Sequence, residues 1–315
     1  VFEARACSIL YNVLCTLRDS RPFLLPANVC PIVPITFLKA GQPFSFVDIA
    51  ASEWTMDKDS CLRALKRSPK GLAGVLFVRT YGAERDENQF FAMLKGRQPD
   101  LLVIDDRCLC RPICEEKDLV SSADITLFST GHAKHVDLGF GGFAHLTAEV
   151  SYGRHESDFS EEVLIETTKR YKLAFATCSS FESADESWLD VSRPDMSWRV
   201  YRRKVADALR IADQQKLKMN ALYQELLPAE IQMPSDFQRW RFNIRIARPD
   251  EVVERLFREG LFASRHFQAP TGVFCSGRFE QTETLHSEVV NLFNDRYYDD
   301  DKAVRTAKII SAHVD

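Results

Sequence analysis

Residues 125–142, ITLFSTGHAKHVDLGFGG, decide how this chain is read. An apolar run leads to Ser129, a short polar loop carries a single lysine, Lys134, and glycines follow at 139, 141 and 142. The run is apolar without alternation, the pattern of a strand buried on both faces of a parallel sheet. The lysine then lies just past the carboxyl end of that strand, the edge at which open α/β sheets bind ligands. A loop lysine is ordinarily a solvated charge. Its meaning depends on what else reaches the same edge.

Working outward, residues 22–27, 44–50, 72–80, 101–106, 124–129 and 141–146 all read as buried strands. Helical patterns fill the gaps at 6–17, 33–40, 57–66 and 86–96. Strand–helix alternation predicts an α/β fold with a mostly parallel sheet covered by helices on both faces. Residues 150–195 are polar and weakly patterned, and are read as a domain junction with helical pieces. A long helix is predicted over 198–227, closed by Pro228. Beyond it come a strand (239–247), a helix (249–260) with Pro249 near its start and Gly260 at its end, a strand (261–267), and helices at 283–293 and 301–313. That predicts a large domain over 1–190 and a smaller C-terminal α+β domain over 191–315.

The 315 residues carry a net charge of −4 and no basic block, which argues against a nucleic-acid binder. No apolar run approaches the ~20 residues that span a bilayer. Residues 6–17 have the apolar character of a signal-peptide core, but Arg18, Asp19 and Arg21 follow without a small-residue cleavage site. The nine cysteines are scattered and odd in number, which predicts reduced thiols in a cytoplasm rather than a disulfide framework.

Three polar groups fall at the carboxyl edge. Asp105 and Asp106 close one strand, Ser129 closes another, and Lys134 lies five residues past Ser129. Singly, the aspartates suit a helix N-cap, the serine and glycines a turn, and the lysine solvent. Together they suit something else. A lysine among apolar strands becomes a nucleophile toward carbonyls. A carboxylate keeps a pyridine nitrogen protonated, and a serine hydroxyl anchors a phosphate. Those are the requirements of pyridoxal 5'-phosphate. A competing reading gives Cys108, Cys110 and Cys114 with His132 and His135 to a zinc ion, although the C-x-C spacing is poor and Pro112 intervenes.

The lysine segment resembles that of the DegT/DnrJ/EryC1/StrS sugar aminotransferases, which reads like F-S-x-x-x-T-K-x-I-T-T-G-E-G-G. The serine–lysine spacing of five and the spacing of eight from lysine to the last glycine both agree. Other segments fall in the same order. AGQPFSFVDI resembles the family's A-G-x-x-P-x-F-V-D-I, VRTYGAERD its H-x-Y-G-x-x-x-D, VIDDRCLC its V-I-E-D-A-A-Q, and EGLFASRHFQAP its G-I-x-x-x-x-H-Y-x-P. The resemblance covers nearly the whole chain. It implies the aspartate aminotransferase type of fold, with a seven-stranded large-domain sheet, active as a homodimer with sites at the subunit interface. It implies amino transfer from glutamate to a nucleotide-linked keto-sugar. Lys134 would carry the cofactor, and Asp106 rather than Asp105 would pair with its ring nitrogen. Ser129 and backbone N–H groups near Arg5 and Ala6 would hold its phosphate.

The chain also departs from the family. Ala4-Arg5-Ala6 replaces the Gly-Thr of the first phosphate loop. Cys30 stands where an aromatic ring stacks on the cofactor, Leu109 where a glutamine meets its 3-hydroxyl, and Phe140 where G-E-G-G has its acid. The segment G-x-N-x-R-M has no clear counterpart over 150–180. These losses predict a weak hold on the cofactor. They leave two alternatives on the same fold: a sugar dehydratase, in which a histidine such as His132 or His135 would replace the lysine, and a non-catalytic dimer.

Overall fold

The continuous apolar runs become the interior of one sheet. In the computed structural model, which describes residues 1–183 and 186–314, this sheet has seven strands. They are β1 (Phe2–Glu3), β2 (Phe23–Pro26), β3 (Phe44–Val47), β4 (Gly74–Val78), β5 (Leu102–Asp106), β6 (Ile125–Ser129) and β7 (Gly142–Leu146), in the order β1-β7-β6-β5-β4-β2-β3. The five strands β3, β2, β4, β5 and β6 run parallel, and β7 and β1 close one edge antiparallel. Four helices connect them: α1 (Ala6–Leu17), α2 (Ile32–Lys39), α3 (Lys58–Arg67) and α4 (Asn88–Arg97).

Successive strand residues point to opposite faces, and the two faces build separate cores. Leu25, Leu76, Ile104 and Leu127 pack with Ile9, Leu10, Val13 and Leu14 of α1. Counted from Ala6, those positions fall at i+3, i+4, i+7 and i+8, the stripe of an amphipathic helix. Leu24, Val75, Phe77 and Val103 pack on the other face with Leu62 and Leu65 of α3 and Phe91 and Leu94 of α4. Counting on from Ile104 and Leu127 by two puts Asp106 and Ser129 on the face of α1.

The rest of the chain adds α5 (Glu161–Thr177), α6 (Trp198–Leu226), β8 (Phe242–Arg245), α7 (Pro249–Arg258), β9 (Ala263–Ser264), α8 (Glu280–Glu288), β10 (Val289–Leu292) and α9 (Asp300–Val314). Its antiparallel sheet has the order β8-β10-β9. A core of Met219, Tyr223, Phe242, Ile244, Val290 and Leu292 joins that sheet to α6. One sequence expectation needs correction here. Residues 283–293 are not one helix: α8 stops at Glu288, and β10 is the central strand of the small sheet. Val289, Val290, Asn291 and Leu292 are all fully buried, and Asn291 accepts a hydrogen bond into the sheet side from His266 N at 2.9 Å while donating to Asn243 at 2.7 Å. Burial on both faces erases the period that separates a strand from a helix. The helical pieces expected over 150–195 include the 17-residue helix α5.

Asp48, at the end of β3, ties the two sheets together. Its carboxylate accepts from Gln281 N at 2.9 Å and from Thr282 N and Oγ1 at 3.0 and 2.8 Å, closing the start of α8.

Asp105 lies on the face opposite Asp106 and is fully buried. It accepts from Arg79 Nε and Nη2 at 2.7 and 2.9 Å and from Arg107 Nε at 2.8 Å. Removing one partner of a buried ion pair strands the other, at a cost of about 3–5 kcal/mol. Asp105→Asn should therefore lower the unfolding free energy by an amount of that order in urea titrations. A loss below about 1 kcal/mol would show that the two arginines find other partners.

Candidate active site

The site begins at Gly142. A Cβ there would sit 2.2 Å from Ala6 N, 2.4 Å from Ala6 Cα and 2.6 Å from Arg5 C, so only glycine lets β7 lie against the start of α1. Gly142 pairs with Ser129 across β7 and β6. The N-terminus of α1 is thereby fixed beside Ser129, and Gly141 N donates to Ala4 O at 2.6 Å to hold it.

The loop that follows Ser129 is tightly bound. Thr130 Oγ1 donates to Phe140 O at 2.7 Å and shares a 2.6 Å hydrogen bond with Tyr201. Asp137 accepts from Ala133 N at 3.0 Å and Gly139 N at 2.9 Å. Gly139 and Gly141 turn the chain at φ 79° and 91°, a region open to glycine. Phe140, where the family carries an acid, packs its ring 6.2 Å from Tyr201. Trp240, just before β8, donates from Nε1 to Ala133 O at 2.7 Å, one residue from Lys134.

These elements enclose a cavity of about 500 Å³ between the carboxyl ends of β5 and β6, the start of α1 and helix α5. Arg5, Ala6, Cys30, Asp106, Ser129 and Lys134 all line it, and so does Leu109. Lys134 is half-buried and makes no hydrogen bond or ion pair among the described residues. Its charge acts on Asp106, Cys30 and Cys7. Burial raises the Asp106 carboxyl above its ordinary pKa, while the Cys108 thiol and backbone N–H, the latter at 2.9 Å, and Lys134 draw it back down. Burial likewise raises the Cys30 thiol, which therefore lines the cavity as a neutral group.

Leu109 is buried and packs with Tyr81 and Trp240 as well as touching the cavity. His132 also lines the cavity, with 79% of its side chain exposed. His135 does not: its Nε2 bonds Asp213 at 2.9 Å, and burial lowers its pKa. Among the described residues no group of three His, Cys, Asp or Glu side chains is placed to hold a metal ion. Cys108 faces Asp106 while Cys110 lies among Arg79, Asp105 and Arg107 on the other side of the strand end.

Sequence reasoning missed one wall altogether. Leu164, Thr168 and Tyr171 of α5 line the cavity, together with Trp188. Their spacing of four and three is that of one helix face, and it was the available signal. Tyr171 and Trp188 place aromatic rings around a cavity in which Cys30 offers none.

The fold is that of the solved sugar aminotransferases of the DegT/DnrJ/EryC1/StrS type. A DegT DnrJ EryC1 StrS aminotransferase from Brucella abortus is 16% identical, with a TM-score of 0.69 over 100% of this chain and 85% of that one. The PLP-form of a putative sugar aminotransferase from Streptococcus pneumoniae is 14% identical, with a TM-score of 0.74 over 100% and 87%. DesI, solved in the presence of its TDP-sugar product, is 17% identical, with a TM-score of 0.73 over 100% and 80%. No protein-family profile matches the chain, and no curated protein matches it by sequence.

The Lys134 loop leans on a second lysine. Lys216 of α6 is 5% exposed, and its Nζ donates to Trp240 O at 2.6 Å and Asn294 Oδ1 at 2.9 Å. Burial pushes its pKa from 10.5 down to about 7. The unfolded chain then binds more protons than the folded one between those values, so this group makes stability rise with pH from about 7 toward 10.5. Below pH 7 its full destabilising effect is present. Measured against Lys216→Met, the wild type should gain about 2 kcal/mol of unfolding free energy between pH 7 and pH 9. Parallel pH profiles for the two proteins would show that Lys216 titrates as an ordinary lysine.

Proposed function

We propose that this chain is a pyridoxal 5'-phosphate-dependent aminotransferase that passes an amino group from glutamate to a nucleotide-linked keto-sugar. The observation that supports it is the meeting of an amine, a buried carboxylate and a helix N-terminus at one cavity: Lys134, Asp106 and the start of α1 beside Ser129. The fold is shared with enzymes described as sugar aminotransferases, one of them solved with a TDP-sugar product.

The residues present suit the cofactor. Arg5 Nε is buried without a hydrogen-bond partner, and α1 starts with no side-chain cap and no acid in its first turn. That corner attracts a phosphate. Asp106 is a buried carboxylate whose charge is answered only in part, which suits a protonated ring nitrogen. When bound, pyridoxal phosphate supplies a carbonyl carbon for amine exchange and a ring that accepts electron density. Lys134 would hold that group covalently and, once displaced by the donor amine, would move a proton to and from the donor α-carbon. Asp106 would keep the ring nitrogen protonated. Tyr171 and Trp188 would cover the ring in place of an aromatic at Cys30. The same reading makes the protein a cytoplasmic homodimer, divided near residue 190 into a cofactor-binding part and a smaller part, with sites at the subunit interface.

Incubation with pyridoxal phosphate, borohydride reduction and peptide mass spectrometry should place the pyridoxyl group on Lys134 and lose it in Lys134→Ala. Asp106→Asn should keep the fold and lower glutamate-dependent amination by something on the order of 10²–10⁴-fold. An adduct on another lysine, or on none, would refute the assignment.

A further inference from the structure

The cavity wall at α1 carries the charge of Arg5, which no carboxylate among the described residues answers. Arg5 is the N-cap of α1, with extended backbone at φ −146° and ψ 156°. Its Nε has neither solvent contact nor a hydrogen-bond partner, and no carboxylate pairs with its guanidinium among the described residues. The nearest acid along the chain, Glu3, is turned away: its Oε1 accepts from Tyr152 and from Arg154 Nε, both at 2.7 Å. Arg5 is half-buried, and a guanidinium nitrogen shut from solvent beside the cavity without a partner is unfavourable, which an anion there would relieve.

Two neighbours point the same way. Ser129 is 8% exposed; its Oγ accepts from Gly131 N at 3.3 Å, but its own proton reaches no acceptor among the described residues. The opening turn of α1 has no capping side chain and no acid, which leaves its positive end uncompensated at the cavity wall. The corner thus offers donors from a guanidinium, a hydroxyl and a helix end.

We infer that the Arg5 side chain is itself a phosphate ligand, and that it makes this chain select a phosphorylated pyridoxal over the unphosphorylated compound. A guanidinium offers a fork of parallel donors that matches two phosphate oxygens, which a lysine cannot reproduce. The inference rests on the cofactor reading for the identity of the ligand, but the anion site can be tested apart from it.

The probes are inorganic phosphate, pyridoxal 5'-phosphate and pyridoxal, applied to the wild type, Arg5→Gln, Arg5→Lys and Lys134→Ala. Binding is read by equilibrium dialysis and by the rise in melting temperature, and each variant is first checked for unaltered unfolding without ligand. In the wild type, inorganic phosphate should bind and raise the melting temperature, and Lys134→Ala should keep that effect. Arg5→Gln should bind both phosphate and pyridoxal phosphate about 10–100-fold more weakly and leave pyridoxal unchanged. Arg5→Lys should fall between. Phosphate binding that is absent in the wild type, or equal in wild type and Arg5→Gln, overturns the inference. So does an equal loss of pyridoxal and pyridoxal phosphate in Arg5→Gln. Phosphate binding that depends on Arg5 in a protein that forms no reducible adduct at Lys134 upholds the anion site and refutes the cofactor reading instead.

Discussion

The contact between Gly142 and the backbone of Arg5 and Ala6 is the constraint on which the site depends. A single methyl group there would press to within 2.2 Å of a backbone nitrogen that has no room to yield. Because Gly142 is also the register partner of Ser129, one missing side chain fixes three things at once: where β7 lies, where α1 begins, and which strand end the positive pole of that helix meets. The amphipathic stripe of α1 then seats the helix on the sheet, and the core of that face follows.

Two adjacent aspartates show how a strand end divides its duties. Asp105 serves the fold, locked between two arginines on one face. Asp106 serves the cavity on the other, bonded to Cys108 and under the charge of Lys134. Nothing but the pleat separates them. Past the strand end the chain turns, and Cys108 faces Asp106 while Cys110 lies among Arg79, Asp105 and Arg107, so a cysteine-rich stretch that looks in sequence like a metal-binding motif is not gathered at one point.

Much of this was legible in the residues, and for a physical reason. Strands buried on both faces must be apolar throughout, so the central strands β2, β4, β5 and β6 stand out as continuous runs, and α1 stands out by its stripe. The same rule hid β10: a central strand that is wholly buried has no face to mark it, and its residues also fit the end of the preceding helix. The two-residue β1 is too short to leave a pattern. At the site, Lys134, Asp106 and Ser129 were legible because each sits at a recognisable strand end. Tyr171 was not, because α5 buries little of its surface and gives a weak periodic signal, and Trp188 was not, because it lies in a turn with no periodic pattern around it. The isolation of Arg5 could be seen only once Glu3 was found to be turned toward Tyr152 and Arg154.

Asp48 has a consequence for how the chain reaches this state. Helix α8 has nine residues, too few to persist alone in water. The carboxylate that closes its first turn comes from β3, 233 and 234 positions earlier in the chain. No local segment can supply that cap, so α8 becomes stable only after the two ends of a very long loop have met. The central strand of the small sheet begins at the residue after α8 ends. Contacts of such separation are the kind that slow the folding of a chain.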